Sequence, residues 1–119
     1  MLKERVRAHC EAGENCSHII LQAAAEEYDI SLSEDILMAC SGINGGFGVG
    51  SMCSGLVAAV MALGLLYDEE EIRMKRILFL VKAQEKFGGL DCCRLSALGQ
   101  DCSNVLIDIA EILQEVVEI

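Results

Sequence analysis

The stretch from Ala39 to Gly64, ACSGINGGFGVGSMCSGLVAAVMALG, constrains this chain more than any other. Its first half carries Gly42, Gly45, Gly46, Gly48 and Gly50, and the run that begins at Cys53 has no charged residue. Glycine reaches φ > 0 and lets backbone approach closely, so this first half reads as a loop. The loop delivers the Cys53 thiol onto a buried helix. The apolar run from Leu56 to Leu66 is too short for a bilayer, which takes about 20 such residues. Ala58, Ala59, Ala62 and the lack of proline favour a helix that is apolar on all sides and packed at the centre of a bundle.

Length and composition agree with that centre. A chain of 119 residues implies a single domain over 1–119. Aromatic residues are few, tryptophan is absent, and Leu, Ile, Ala and Glu are abundant, which suits helices better than a sheet. The expectation is an all-α, compact bundle of five or six helices around the central hydrophobic helix at about 52–66, with the glycine-rich loop before it. The mean hydropathy is high for a small soluble monomer. Either the core is rich, or a partner covers one apolar face, a homodimer being the simplest arrangement.

Nine Lys and Arg against 19 Asp and Glu leave a net charge of −10. That sign repels nucleic acid and anionic lipid. It suits a basic partner protein, and it also keeps an apolar protein in solution. The first residues, MLKERVRAHCEAGENC, hold charges throughout and no apolar core of a signal peptide. With no membrane-spanning candidate, a cytoplasmic location is expected. Thiols there stay reduced unless they bind metal or cycle, and seven cysteines, an odd number, argue against a static disulfide framework.

Helical periodicity and caps divide the chain. Leu2 to Ala12 reads as a short helix. Asn15 is placed to cap a second one, about Cys16 to Tyr28, with Ile19, Ile20, Ala23 and Ala24 inward. Ser33 caps a third, Glu34 to about Ser41, with Ile36, Leu37 and Cys40 inward. The central helix runs from about Ser51 to Leu66. The acidic run from Asp68 opens the longest helix, to about Phe87, and Gly88-Gly89 ends it. Ile72, Arg76, Phe79, Leu80, Ala83 and Phe87 make its stripe. The last helix, about Cys102 to Val117, buries Val105, Ile109, Ile112 and Val116. Met38, Met52, Met61 and Met74 read as core filler.

On this map Cys16, Cys53 and Cys102 fall in or beside the first turn of a helix. Unpaired N–H groups and the macrodipole there lower a thiol pKa. Cys92 and Cys93 are followed by Arg94. Four converging thiolates would hold an iron–sulfur cluster or zinc. The C-x-x-C spacing that usually marks such sites is absent. A dithiol–disulfide pair needs only two neighbours, and Cys102 with Cys92 or Cys93 is the most local pair. Packing alone is the remaining explanation, and it fits Cys40 and Cys10 best. His9 and His18 are weaker ligand candidates. Gly46 to Gly50 lacks the strand and the further residues of a nucleotide loop.

Several of these pieces, in order, resemble the C-GCAxxG-C-C family, a group of small proteins of bacteria and archaea described as redox-active. They are Asn15-Cys16; Gly45-Gly46-Phe47-Gly48; Cys53 leading to Met61-Ala62-Leu63-Gly64; Phe87-Gly88; Cys92-Cys93-Arg94-Leu95; and Cys102 before the last helix. The likeness covers roughly Gly13 to Glu118. The chain departs from the pattern at Cys53-Ser54-Gly55-Leu56-Val57-Ala58, where the small residues are permuted, and in having two adjacent cysteines for one. The resemblance implies a redox role for Cys16, Cys53, Cys92 and Cys102, with Cys93 as a substitute for Cys92.

The leading expectation is a redox protein in which those four cysteines hold an iron–sulfur cluster for electron transfer to a redox partner. A metal-free thiol–disulfide protein comes next. A structural zinc protein and a non-catalytic helical interaction module rank behind both.

Overall fold

Sharp stop signals and the absence of proline translate into helices wherever the apolar spacing allows. The computed structural model describes residues 1–12, 15–92 and 102–119, the side chain of Cys102 excepted. Six α-helices fill those residues: α1 (Leu2–Glu11), α2 (Cys16–Tyr28), α3 (Glu34–Ala39), α4 (Ser54–Leu66), α5 (Glu69–Phe87) and α6 (Cys102–Glu118). Short turns at Cys40–Gly42 and Gly46–Gly50 fill the space between α3 and α4. The only pairing of extended backbone among the described residues is a single antiparallel bridge, Met52 with Asp91.

The helix ends follow local chemistry. Ser33 Oγ accepts the Ile36 N–H at 3.3 Å and Asp68 Oδ1 accepts the Glu71 N–H at 2.8 Å, each satisfying a donor that the first helical turn leaves unpaired. Asn15 takes the extended N-cap conformation ahead of α2 but makes no side-chain cap bond. Gly88 ends α5 at φ +72°, the left-handed conformation that glycine adopts without strain.

Chain direction is legible from a few bonds. His18 Nε2, on the first turn of α2, donates to the Leu37 carbonyl at 2.7 Å, so α3 returns the chain to the head of α2. Ser17 Oγ donates to Asn44 Oδ1 at 2.8 Å and fixes the following loop there. α4 starts from that loop and packs along α2. The far ends of α4 and α6 also meet, since Tyr67 Oη donates to the Val117 carbonyl at 3.3 Å. α1 runs antiparallel to α6: the Leu2 N–H reaches Gln114 Oε1 at 3.2 Å and Lys3 pairs with Glu111 at 3.6 Å. At the other end of this pair, Cys10 lines a cleft with Ser103 and Ile107. The heads of α2, α4 and α6 therefore lie at one end of the bundle.

α4 is the centre of the core. Leu56, Ala58, Ala59, Ala62 and Leu63 are fully buried, among Ile20, Phe79, Leu106, Ile109 and Leu113 of its neighbours. Each large aliphatic side chain so covered contributes roughly 1.5–3 kcal/mol. Three alanines at that centre let α2, α5 and α6 all approach. The helix is not covered on every side, contrary to the expectation from its composition: Leu65 stays 44% exposed, and Val57, Val60 and Met61 are half-buried. Met38 and Met74 are exposed at 71% and 75%, so they are not core filler. Arg76 is exposed beside the α5 stripe, whose buried members are Phe79, Ala83 and Phe87. The last helix buries Val105, Ile109, Ile112 and Val116 as its period requires, with Leu106 and Leu113 beside them. Among the described residues, no helix is long and apolar enough to cross a membrane.

Candidate functional site

The end of the bundle where three helices begin is also where the cysteines singled out by the sequence fall. Cys16 is the first residue of α2, Cys53 is the N-cap of α4, and position 102 opens α6. Helix heads carry partial positive charge and unpaired N–H groups, a setting that stabilises thiolate. Cys16 is half-buried and packs against the core, Cys53 is buried, and Cys92 is half-buried.

Two hydrogen bonds join Cys53 to Cys92 through the backbone. The Cys53 N–H donates to the Leu90 carbonyl at 2.9 Å, and the Cys92 N–H donates to the Ser51 carbonyl at 2.7 Å. Met52 and Asp91 sit opposite each other between them. Cys53, the N-cap of α4, and Cys92, a helical residue, each directly follow one partner of this bridge, so their backbones lie together. Cys53 and Cys92 are diagonal neighbours, a relation that spans about 7–8 Å between Cα atoms in regular sheet. A disulfide needs Cα atoms about 4.4–6.8 Å apart.

A second contact ties the same place to α6. A Cβ built on Gly55 would lie 2.8 Å from Leu106 Cδ2, 3.1 Å from Ile109 Cδ1 and 3.7 Å from Cys53 Sγ. The head of α4 therefore meets the stripe of α6 that contains Leu106 and Ile109. Position 102 opens α6, one turn before Leu106. Cys10, by contrast, faces Ser103 and Ile107 on another side of α6. Cys40 is fully buried, and its thiol donates to the Ile36 carbonyl at 3.4 Å, as a packing cysteine does. Cys93 lies outside the described residues.

The turn Gly46–Gly50 supports the bridge from behind. The Ser51 N–H donates to the Gly46 carbonyl at 2.9 Å, while the Ser51 carbonyl holds Cys92. Gly45, Gly46 and Gly48 have φ of +68°, +63° and +78°. At Gly46 a Cβ would lie 2.5 Å from Ser51 N and 2.6 Å from Ser51 O, so no other residue fits. The glycines mark this loop in the sequence. Ser51 and Ser17 carry no such mark, because their roles depend on partners far along the chain.

The donor set for a metal can be tested against this geometry. Among the described residues, no group of three His, Cys, Asp or Glu is placed to hold a metal ion. Cys93 and the side chain of Cys102, two of the candidate ligands, lie outside those residues. Neither His9 nor His18 joins the site: His9 Nε2 contacts Glu26 at 3.1 Å, and His18 is bonded to Leu37.

The family model C_GCAxxG_C_C, described as a putative redox-active protein, matches residues 14–116. No curated protein and no solved structure matches the chain.

Proposed function

Because the chain belongs to the C_GCAxxG_C_C family, we propose that it is a thiol–disulfide exchange protein in which Cys92 and Cys53 are the reacting pair. The observation that supports this reading is the pair of backbone hydrogen bonds flanking the Met52–Asp91 bridge, which brings the backbones of the two residues together. Cys92, the more exposed, attacks one sulfur of a substrate disulfide as the thiolate. The substrate S–S bond breaks and a mixed disulfide forms, while the first substrate sulfur leaves as a thiolate and takes up a proton. Cys53, also as thiolate, then attacks Cys92 Sγ. The Cys53–Cys92 bond forms and the second substrate thiolate departs. The substrate has gained two electrons and two protons, and the protein dithiol has lost them. Cys53 is suited to the second role because its place at the head of α4 favours the thiolate. Cys16 and Cys102 supply the remaining thiols at that end, with Cys93 beside Cys92 as the substitute. The net charge of −10 suits a basic redox partner protein.

The test is a titration of thiols before and after treatment of the reduced protein with oxidised glutathione, followed by peptide mapping. Loss of two thiols and a Cys53–Cys92 peptide are expected. A full complement of thiols after treatment, or links confined to Cys10 and Cys40, overturns the proposal.

A second reading is an electron-transfer protein with an iron–sulfur cluster on Cys16, Cys53, Cys92 and Cys102. The observation in its favour is the meeting of three helix heads, whose positive ends offset accumulated thiolate charge. Iron and acid-labile sulfide measured after anaerobic purification decide it. A colourless protein with neither excludes the cluster, and zinc shows in the same elemental assay.

A further inference from the structure

The longest helix has two unlike faces. α5 packs on α4 and α6 and buries Phe79, Ala83 and Phe87. Away from them, Met74, Ile77 and Val81 are exposed at 75%, 58% and 50%. Their spacing of three and then four residues aligns them along one side of the helix. Ile77 and Val81 line a shallow groove with Leu80, Gln84 and Glu85. An apolar strip of this kind gains free energy when it is covered.

The charge of α5 points to a second copy of the chain. The helix holds five of the nine Lys and Arg (Arg73, Lys75, Arg76, Lys82 and Lys86) and four of the 19 Asp and Glu. It therefore carries +1, while the rest of the chain carries −11. Two copies at −10 repel each other over most of their surface. Contact through α5 joins the nearly neutral part of each and keeps the acidic remainders apart. Charge also changes along the helix. Glu69, Glu70 and Glu71 fill its first turn, and Lys86 stands in its last. A parallel pair of α5 helices would set the three glutamates against their own copies. An antiparallel pair, which a two-fold axis across the helix produces, sets them beside Lys86 of the other copy.

From this placement we infer that α5 is a self-association surface: two copies of the chain pair antiparallel through Met74, Ile77 and Val81. The contact is small, because 19 helical residues span only about 28 Å. It belongs to the low end of interface sizes, so dimer and monomer exchange as concentration changes. No thiol takes part, and the inference stands apart from the exchange reading.

The experiment is analytical ultracentrifugation of the full chain, kept reduced so that no disulfide links the copies, between about 5 μM and about 500 μM. The mass is expected to rise from 12.9 kDa toward twice that value. Ile77→Glu with Val81→Glu, both on the exposed side, keeps its helical circular dichroism and stays monomeric. Met74→Glu alone weakens the dimer at least about tenfold. Met38→Ser with Val49→Ser, which removes exposed apolar side chains elsewhere, dimerises as the unaltered protein does. Carbodiimide, which joins an amine directly to a carboxylate, reads the orientation. Within one chain Lys86 is 15 residues from Glu71, about 22 Å along the helix and beyond a direct bond. A peptide joining Lys86 to Glu69, Glu70 or Glu71 therefore forms between copies, and it is expected at the high concentration. A mass of 12.9 kDa at every concentration overturns the inference. So does a dimer that survives the α5 variants, a dimer lost in Met38→Ser with Val49→Ser, or cross-links that never include that peptide.

Discussion

Replacing Gly46 by Ala tests whether the glycine turn positions the thiol pair. The added Cβ would stand 2.5 Å from Ser51 N and 2.6 Å from Ser51 O, both backbone atoms that cannot rotate away. To reach even 3.0 Å, the shortest separation real Cβ atoms show, Ser51 must retreat by about 0.5 Å (3.0 − 2.5). Three costs follow. Alanine at φ +63° loses about 1–2 kcal/mol. Overpacking against fixed backbone costs about 1–3 kcal/mol. Weakening of the Ser51–Gly46 and Ser51–Cys92 hydrogen bonds adds about 0.5–1.5 kcal/mol each. Partial relaxation overlaps these terms, so a net loss of about 3–5 kcal/mol is expected, a large part of a small domain's stability. Gly45→Ala is the control: its φ is +68°, yet nothing lies within 4 Å of the added atom, so only the conformational cost of about 1–2 kcal/mol applies. Urea unfolding followed by helical circular dichroism measures both. The rate of Cys53–Cys92 disulfide formation, measured well below the unfolding transition, should fall in Gly46→Ala and hold in Gly45→Ala. Equal destabilisation by the two variants, or an unchanged rate in Gly46→Ala, refutes the reasoning.

Further predictions concern the core and the surface. Gly55→Ala crowds the ends of Leu106 and Ile109, which can turn aside, and touches Cys53 Sγ at ordinary contact distance, so about 1 kcal/mol of overpacking remains after the gain in helix propensity, read by the same urea series. The buried Tyr28 hydroxyl has no hydrogen-bond partner among the described residues, and Tyr28→Phe should be neutral or stabilise by up to about 1 kcal/mol in thermal melts. Burial, aided by the carboxylates of Glu27 and Glu118, pushes the Tyr28 phenol up to about 12 from its ordinary 10. A raised folded-state pKa means that its contribution is complete below pH 10 and is lost as pH rises from 10 through 12. Ultraviolet titration of the phenolate and urea melts across that window check this, and Tyr28→Phe should flatten the dependence. Asp68→Ala removes the acceptor of the Glu71 N–H and should cost about 1 kcal/mol in the urea series.

Much of this fold was legible in the sequence because its signals are local. Ser33 and Asp68 cap helices, Gly88 ends one, and the spacing of Val105, Ile109, Ile112 and Val116 gives the buried face of α6. What a local pattern cannot carry is the exterior of an apolar helix. Leu65, Met38 and Met74 are as hydrophobic as their buried counterparts, and only the position of neighbouring helices decides that they face water. The cysteines divide the same way. Their place at helix heads follows from caps and breaks, while the link from Cys53 to Cys92 depends on the Ser51 and Leu90 carbonyls, which any residue would supply. Backbone groups leave no mark in side-chain patterns; the sequence pointed to Cys102 with Cys92 or Cys93 as the most local pair, of which Cys93 and the side chain of Cys102 lie outside the described residues.

The charge distribution reconciles an acidic protein with reactive thiols. A net charge of −10 spread evenly would disfavour thiolate everywhere. Here the segment that builds most of the thiol end, residues 36–67, holds no charged side chain, and the local fields are those of helix heads. Among the described residues, Asp91 is a charged group directly beside Cys92. It pairs with Met52 in the bridge and is exposed. Water and salt screen an exposed charge of that kind strongly. Asp91→Asn should therefore change the alkylation rate of Cys92 by less than about twofold at physiological ionic strength, since screening leaves little of the pair interaction. The rate is read by mass spectrometry after timed treatment with iodoacetamide. A rise of about tenfold, at about 1.4 kcal/mol per decade, would mean that the carboxylate reaches the thiol.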